Sequence, residues 1–243
     1  MTDDASSSKL TPLLKDLMQS ARTIAAEASY RILDIYIRED VQISTKADDS
    51  PLTQADMAAH HHILERLSAL TPDIPVLSEE NVDAIPLEER LRWKTYWLVD
   101  PLDGTREFLA QNGEFTVNIA LIDHHKPVIG VVAVPAKKLS YFAARGHGAY
   151  KAGPDEVAHP IHVNTERSED HVPLVLTSRH TGLENMEAFL RQLGSHEVKA
   201  IGSSIKICLI AEGKADYYPR LGPTSEWDTA AAQCILEEAG GAV

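Results

Sequence analysis

Disulfides, membrane spans, repeats and a basic surface are all missing from this chain, and each absence removes a class of protein. Two cysteines among 243 residues, Cys208 and Cys234, fall in segments with a helical apolar pattern, so buried free thiols are expected rather than a disulfide framework. No apolar run reaches the length of a transmembrane helix, and no signal-peptide pattern opens the sequence. The expected location is cytoplasmic, with attachment to the cytoplasmic face of the inner membrane left open. No internal repeat or low-complexity segment is present. Lys and Arg number 23 against 36 Asp and Glu, a formal net charge of −13, which argues against binding a nucleic acid polymer through a basic surface. The same charge would repel a small polyanion unless bound cations reversed the field locally, so a phosphorylated substrate would imply metal dependence. What is there is 44% apolar residues, enough for one large core or two modest ones.

Carboxylates gather where apolar segments end. In Trp97-Leu98-Val99-Asp100-Pro101-Leu102-Asp103-Gly104-Thr105, two of them stand three residues apart at the end of a strand pattern. A carboxylate desolvated on one side needs a cation or strong hydrogen bonds to stay ionised. Pro101 presets the backbone after Asp100, Gly104 allows a tight turn, and Thr105 stands where a helix start offers amides to an anion. A plain strand-to-helix turn with Asp capping would use the same residues. The pattern recurs in Pro75-Val76-Leu77-Ser78-Glu79-Glu80, a short apolar strand ending in acid. It recurs again in Ser225-Glu226-Trp227-Asp228, where Asp228 reads as the N-cap of a helix that runs to Ala239 before Gly240-Gly241. Hard divalent cations take such oxygen ligands, and Mg²⁺ is held by a few carboxylates together with water and substrate phosphate.

Leu10, Leu13, Leu14, Leu17, Ala21, Ile24, Ala28, Ile32 and Ile35 recur at helical spacing and predict a long first helix ending near Arg38, after a frayed, polar start from Met1 to Lys9. A second helix after Pro51 runs to about Leu70 and carries Asp56 near its start. Strands are predicted at 96–99, 115–123, 128–134 and 139–144, turned at His124-His125-Lys126-Pro127 and Pro135-Ala136-Lys137-Lys138, as an antiparallel meander. Past a loop at 153–160 the order alternates: strand 172–177, helix 183–193, strand 196–200, helix 203–212, strand 215–218, helix 228–239. The expected fold class is α/β, with an α+β N-terminal half at 1–155 and an α/β C-terminal half at 156–243.

Taken in order, Thr53-Gln54-Ala55-Asp56, Glu79-Glu80, Asp100 to Thr105, and Trp227-Asp228 with Gly240-Gly241 resemble the signature of the lithium-sensitive, Mg²⁺-dependent phosphomonoesterases that include inositol monophosphatase and fructose-1,6-bisphosphatase. The likeness spans most of the chain. Thr105-Arg106-Glu107-Phe108, Gly113-Glu114-Phe115-Thr116-Val117-Asn118-Ile119-Ala120 and Gly202-Ser203-Ser204-Ile205-Lys206 look closest to the CysQ-type 3'(2'),5'-bisphosphate nucleotidases of that family. The resemblance implies a layered αβαβα sandwich with the site between two halves. Relatives usually continue past Gly-Gly with another strand, whereas this chain stops at Val243, so a closing strand is expected to be missing from the sheet.

Carried onto matching positions, the resemblance implies that Glu79, Asp100 and the carbonyl of Leu102 hold one Mg²⁺, and Asp100, Asp103 and Asp228 a second, with a weaker third near Glu79. Thr105, with Asp56 behind it, would orient or deprotonate the attacking water, with Glu79 beside them, and no covalent intermediate would form. The amides of Gly104 and Thr105 would hold phosphoryl oxygens. Substrate contacts are expected from Glu79, Leu102, Asp103, Gly104, Thr105 and Asp228 at the reacting phosphate. In the C-terminal half they are expected from Thr177, His180, Ser203 and Lys206, with Arg220 as a further clamp. The implied reaction, by a monomer or homodimer, converts adenosine 3',5'-bisphosphate to AMP and phosphate in sulfur metabolism, and acts on its sulfated analogue.

Inositol or sugar phosphates are the alternative substrates. A non-enzymatic metal- or nucleotide-binding module is the other reading, against which the Thr105 and Asp56 pair speaks. Lys206 also fits an exposed helix lysine, and His180 a surface or capping histidine. Neighbours in His60-His61-His62 point about 100° apart on a helix and cannot converge on one ion, so they and His124-His125 read as surface histidines. Gly146-His147-Gly148 reads as a tight turn after a strand.

Overall fold

The apolar repeat at the start of the chain produces α1 (Asp4–Tyr36), whose Met18, Ala21, Ala25, Ala28 and Ile32 are buried. The computed structural model describes residues 4–38, 43–45, 51–166, 168, 170–179 and 186–243. Helix is already present at Asp4, and Met1 to Asp3 lie outside the described residues. A short hairpin, β1 (Ile43–Thr45) with β2 (Pro51–Thr53), leads into α2 (Gln54–Leu70), which packs on α1. The start of α2 is sharply defined: Thr53 Oγ1 accepts the Ala55 N–H at 3.1 Å, and the Asp56 carboxylate accepts the Thr53 N–H at 2.8 Å. This capping box holds Asp56 through neighbours in sequence.

Seven strands follow in spatial order β3 (Val76–Ser78), β4 (Thr95–Asp103), β5 (Thr116–Asp123), β6 (Lys126–Val134), β7 (Leu139–Ala144), β8 (Ala149–Ala152) and β9 (Ala158–Ile161). β3 runs parallel to β4, which follows the short helix α3 (Leu87–Arg90), and every later neighbour is antiparallel, as predicted for β4 to β7. The loop predicted at 153–160 contains β9. Its Ala158, His159 and Pro160 are exposed, so it pairs by backbone without an apolar pattern to reveal it. Alternation along the strands splits the core in two: Trp97 and Val99 face the α1 and α2 cluster, while Leu98 and Ala120 face the other.

That second face is covered by α7 (Glu226–Glu238) through Ala230, Ala231, Cys234 and Ile235. Contact is closest at Gly130 of β6, where a Cβ would overlap the Ala231 carbonyl oxygen and come within 2.9 Å of the Cys234 Cβ. Beyond lie α6 (Ile205–Ala211) and a parallel pair, β10 (Leu174–Thr177) with β11 (Glu197–Ala200). Leu176 and Ile201 enter the same core cluster. Phe189 of α5 (Glu187–Leu193) packs on Tyr217 from outside, completing the αβαβα order. The strand predicted at 215–218 reduces to a single bridge between Val175 and Tyr217. Cys208 and Cys234 are buried and free, as expected.

Candidate active site

Strand β4 changes register between Asp100 and Asp103 as it leaves the sheet, and this break brings both carboxylates to one place. Asp100 Oδ1 accepts the Leu102 N–H at 3.0 Å, closing the Pro101 turn on itself. Gly104 then takes a left-handed φ of 93°, where a side chain would be strained, and the chain enters α4 (Thr105–Leu109). Asp228 arrives from the first turn of α7, but not as its N-cap. Ser225 has the extended backbone of a cap, and Asp228 is the third helical residue, accepting the Ser225 N–H at 3.0 Å and Thr224 Oγ1 at 2.8 Å. Ligand atoms of Asp100, Asp103 and Asp228 lie within 4.8 Å of one another.

Burial raises the Asp100 carboxyl well above its usual range, and Glu79, Asp103, Asp228 and Asp56 push it further. Desolvation and Asp228 push Asp103 up to about 7, against the pull of Lys206 and of the Ser204 amide, which donates to it at 2.6 Å. Glu79 opens the 3₁₀ turn Glu79–Ala84 directly after β3, the parallel neighbour of β4. A crowd of carboxylates with an all-oxygen donor set fits a hard divalent cation, whose charge would remove the repulsion that now disfavours ionisation. Thr105 Oγ1 donates to Asp56 Oδ1 at 3.1 Å across 49 residues of sequence, and it lies 3.4 Å from the carbonyl of Leu102. The other Asp56 oxygen is occupied by Thr53, through its N–H and, at 2.6 Å, its hydroxyl.

A cavity of about 340 Å³ at this corner takes in Asp103 and Asp228 together with Gly104, Glu107, Ser178, Ser203, Lys206 and Arg220. Lys206 is not the exposed lysine that its place on a short helix suggests: it is 3% exposed. Its Nζ donates to the carbonyls of Ile201 at 3.1 Å and Ser203 at 2.6 Å, and sits 4.9 Å from the Tyr218 ring centre. Burial lowers its pKa, against the attraction of Asp103. Arg220 is tied to the Pro223 carbonyl at 2.6 Å. Thr177 is buried in β10 with its carbonyl accepting the Ile201 N–H at 2.9 Å, and the next residue, Ser178, lines the cavity. His180 lies outside the described residues.

His60 departs from the surface reading of the histidine run. It is buried, with Nδ1 3.0 Å from the Oγ of Ser78, because one face of α2 turns toward β3 and the Glu79 turn. His62 pairs with Glu27 at 2.9 Å, while His61 is exposed, and so is His124 in its turn. The Gly146 to Gly148 turn is held by the Glu238 carboxylate through both glycine amides. Sequence reasoning did not single out Ser204 or Tyr218. Ser204 stood inside a quoted motif, whereas nothing local marks Tyr218. No helix among the described residues is long and apolar enough to cross a membrane.

The model of the inositol monophosphatase family matches residues 13–243. The 3'(2'),5'-bisphosphate nucleotidase CysQ of Salmonella typhimurium is 49% identical over 230 residues, which cover 93% of this chain and 89% of that protein. The crystal structure of CysQ from Bacteroides thetaiotaomicron, a bacterial member of the inositol monophosphatase family, superposes with a TM-score of 0.79 at 41% identity, covering 93% of this chain and 87% of the other. The extragenic suppressor protein suhB from Bartonella henselae gives a TM-score of 0.76 at 26% identity, covering 93% and 85%.

Proposed function

Because the chain belongs to the inositol monophosphatase family, we propose that it is a Mg²⁺-dependent 3'(2'),5'-bisphosphate nucleotidase that converts adenosine 3',5'-bisphosphate to AMP and phosphate. The observation that carries this reading is one cavity that joins Asp103 and Asp228, two of the three clustered carboxylates, to the buried ammonium of Lys206. A substrate with one phosphate to lose and another to keep matches that polarity. Relatives named as bisphosphate nucleotidases, at 49% identity, support the same choice.

Asp100, Asp103 and Asp228 would hold the metal, with Glu79 and the Leu102 carbonyl in the same corner, and the bound ion would neutralise phosphate charge and acidify water. The rest falls to the chain's own groups. Thr105 donates its hydroxyl hydrogen bond to Asp56, so its oxygen is left as an acceptor that orients an attacking water. The Gly104 and Thr105 amides stand at the start of α4 for phosphoryl oxygens. Lys206 spends two of its three donors on carbonyls and keeps one for the phosphate that stays, with Ser203 and Arg220 beside it. Residues 1–155 supply Asp56, Glu79, Asp100 and Asp103, and 156–243 supply Lys206 and Asp228, so the cleft lies between the two halves. Buried free thiols fit a reducing, cytoplasmic location.

Phosphate release with Mg²⁺ from adenosine 3',5'-bisphosphate, inositol 1-phosphate and fructose 1,6-bisphosphate tests the reading. The adenosine compound is expected to have much the highest kcat/KM. A preference for inositol 1-phosphate would overturn it.

A further inference from the structure

Glu114 is not itself in the cavity lining, yet it meets three of the connections that border it. Its carboxylate takes Nε and Nη2 of Arg179 at 2.6 and 2.7 Å, and Oε2 also accepts the Gly202 N–H at 2.7 Å. Its backbone carbonyl lies 3.2 Å from where a Cβ on Gly104 would stand and 2.9 Å from one on Gly202. The hydrogen bond from Arg179, helped by the Gly202 amide, holds the Glu114 carboxyl below its usual range despite desolvation.

The turn that Glu114 grips leads to the reaction centre. After Gly202 comes Ser203 with φ of 54°, then Ser204, whose amide donates to Asp103 and whose Oγ donates to Asn118 at 2.8 Å. A serine in the left-handed region persists only where its surroundings hold it there. Lys206 holds the carbonyls of Ile201 and Ser203, and Glu114 holds the amide of Gly202 between them. An ion pair whose arginine side chain is 41% exposed contributes little to stability, so its effect is on placement.

Resting on the reading of this cavity as the substrate pocket, we propose that the Glu114–Arg179 pair is a specificity-determining strut. It sets the separation between Ser178 and the Gly202–Ser204 turn, and so the size of phosphate monoester admitted, without touching the reacting atoms.

The test uses Arg179→Ala, Arg179→Lys, Glu114→Gln and the double variant Glu114→Gln/Arg179→Ala. Each is assayed on adenosine 3',5'-bisphosphate and on glycerol 2-phosphate, with amide hydrogen exchange followed over 202–204. KM for the bisphosphate is expected to rise on the order of tenfold in Arg179→Ala and Glu114→Gln, at least about fivefold more than for the small ester, with a smaller change in kcat. Arg179→Lys recovers part of the loss, the double variant is no worse than the worse single one, and exchange quickens at 202–204. Equal KM changes on both esters, additive losses in the double variant, or unchanged exchange would overturn the strut. If Glu114→Gln fails to fold, Arg179→Ala decides, since Arg179 is exposed. A wild type inactive on the bisphosphate overturns the nucleotide reading instead; the strut is then judged by exchange and by the largest and smallest esters the enzyme accepts.

Discussion

The carboxylate corner and the Lys206 wall of the cavity are built on opposite plans. At the acidic end, Asp100, Asp103 and Asp228 are delivered by regular elements, a strand that breaks register and the first turn of a helix, into a space where like charges lie within 4.8 Å. At the Lys206 wall the 202–204 turn is held by side chains: Lys206 has two of its three donors on carbonyls, and Glu114, behind the lining, meets Arg179 and the Gly202 amide. The first is crowded with like charge and placed by regular elements, while the second is largely hydrogen-bonded and depends for its shape on a few side chains. Faults at the first should therefore appear as lost chemistry and altered metal response, and faults at the second as altered substrate preference.

The sharpest way to break that contrast is at Asp100. Asp100→Asn is expected to lower kcat on the order of 10³-fold while raising the thermal midpoint of the metal-free protein, because it removes a charge that its neighbours repel. Retained turnover would remove Asp100 from the metal corner. Thr105→Ala comes next, with kcat lower by about 10²-fold and little change in KM, and Thr105→Ser should restore most of it through the Asp56 contact. Failure of serine to rescue would detach that hydrogen bond from catalysis.

Lys206→Met probes the other end. KM for adenosine 3',5'-bisphosphate should rise about 10- to 100-fold, with adenosine 3'-monophosphate nearly unaffected. Stability should fall by about 1–3 kcal/mol, because two carbonyls lose their donor. Equal kinetic losses on both nucleotides would move Lys206 to the reacting phosphate.

The smallest effect is one of pH on the metal-free protein. The folded-state pKa of Asp103 is about 7 against an ordinary 3.8, so the native state keeps a proton that the unfolded chain releases. The stabilisation is complete below about pH 4 and is lost as pH rises through about 7, and Asp100 acts in the same direction. The thermal midpoint of chelator-treated protein should drop by a few degrees from about pH 5 to about pH 8, and saturating Mg²⁺ should flatten that slope. A midpoint that rises over the same range would contradict the crowding of carboxylates.

Much of the architecture was legible because period-two and period-3.6 patterns are written locally. The meander from β4 to β7 and the long helices α1, α2 and α7 follow from them. What escaped was decided elsewhere in the chain. Ala158–Ile161 buries only Ile161 yet is a strand because β8 offers it a partner, whereas 215–218 pairs with β10 through the single Val175–Tyr217 bridge. The acidic residues of the candidate site could be picked out from sequence, but their geometry could not. Asp228 looked like a cap until Ser225 took that role, and the alternative of an exposed Lys206 fails because carbonyls of its own preceding turn enclose its ammonium. His60 looked like one of three surface histidines, since which side of α2 faces β3 depends on tertiary packing.

Gly130 gives this arrangement a datum. With no side chain at that position, α7 rests with its own backbone against β6, so the height of the helix above the sheet is a hard stop and not a cushion of adjustable rotamers. Ala231, the residue in contact, lies one turn along from Asp228. The gap between Asp228 and the Asp100–Asp103 pair is therefore gauged from the next turn of the same helix, by a residue that takes no part in binding or chemistry. A methyl group at position 130 would act as a shim, altering the bore of the ion site while every carboxylate in it stayed the same.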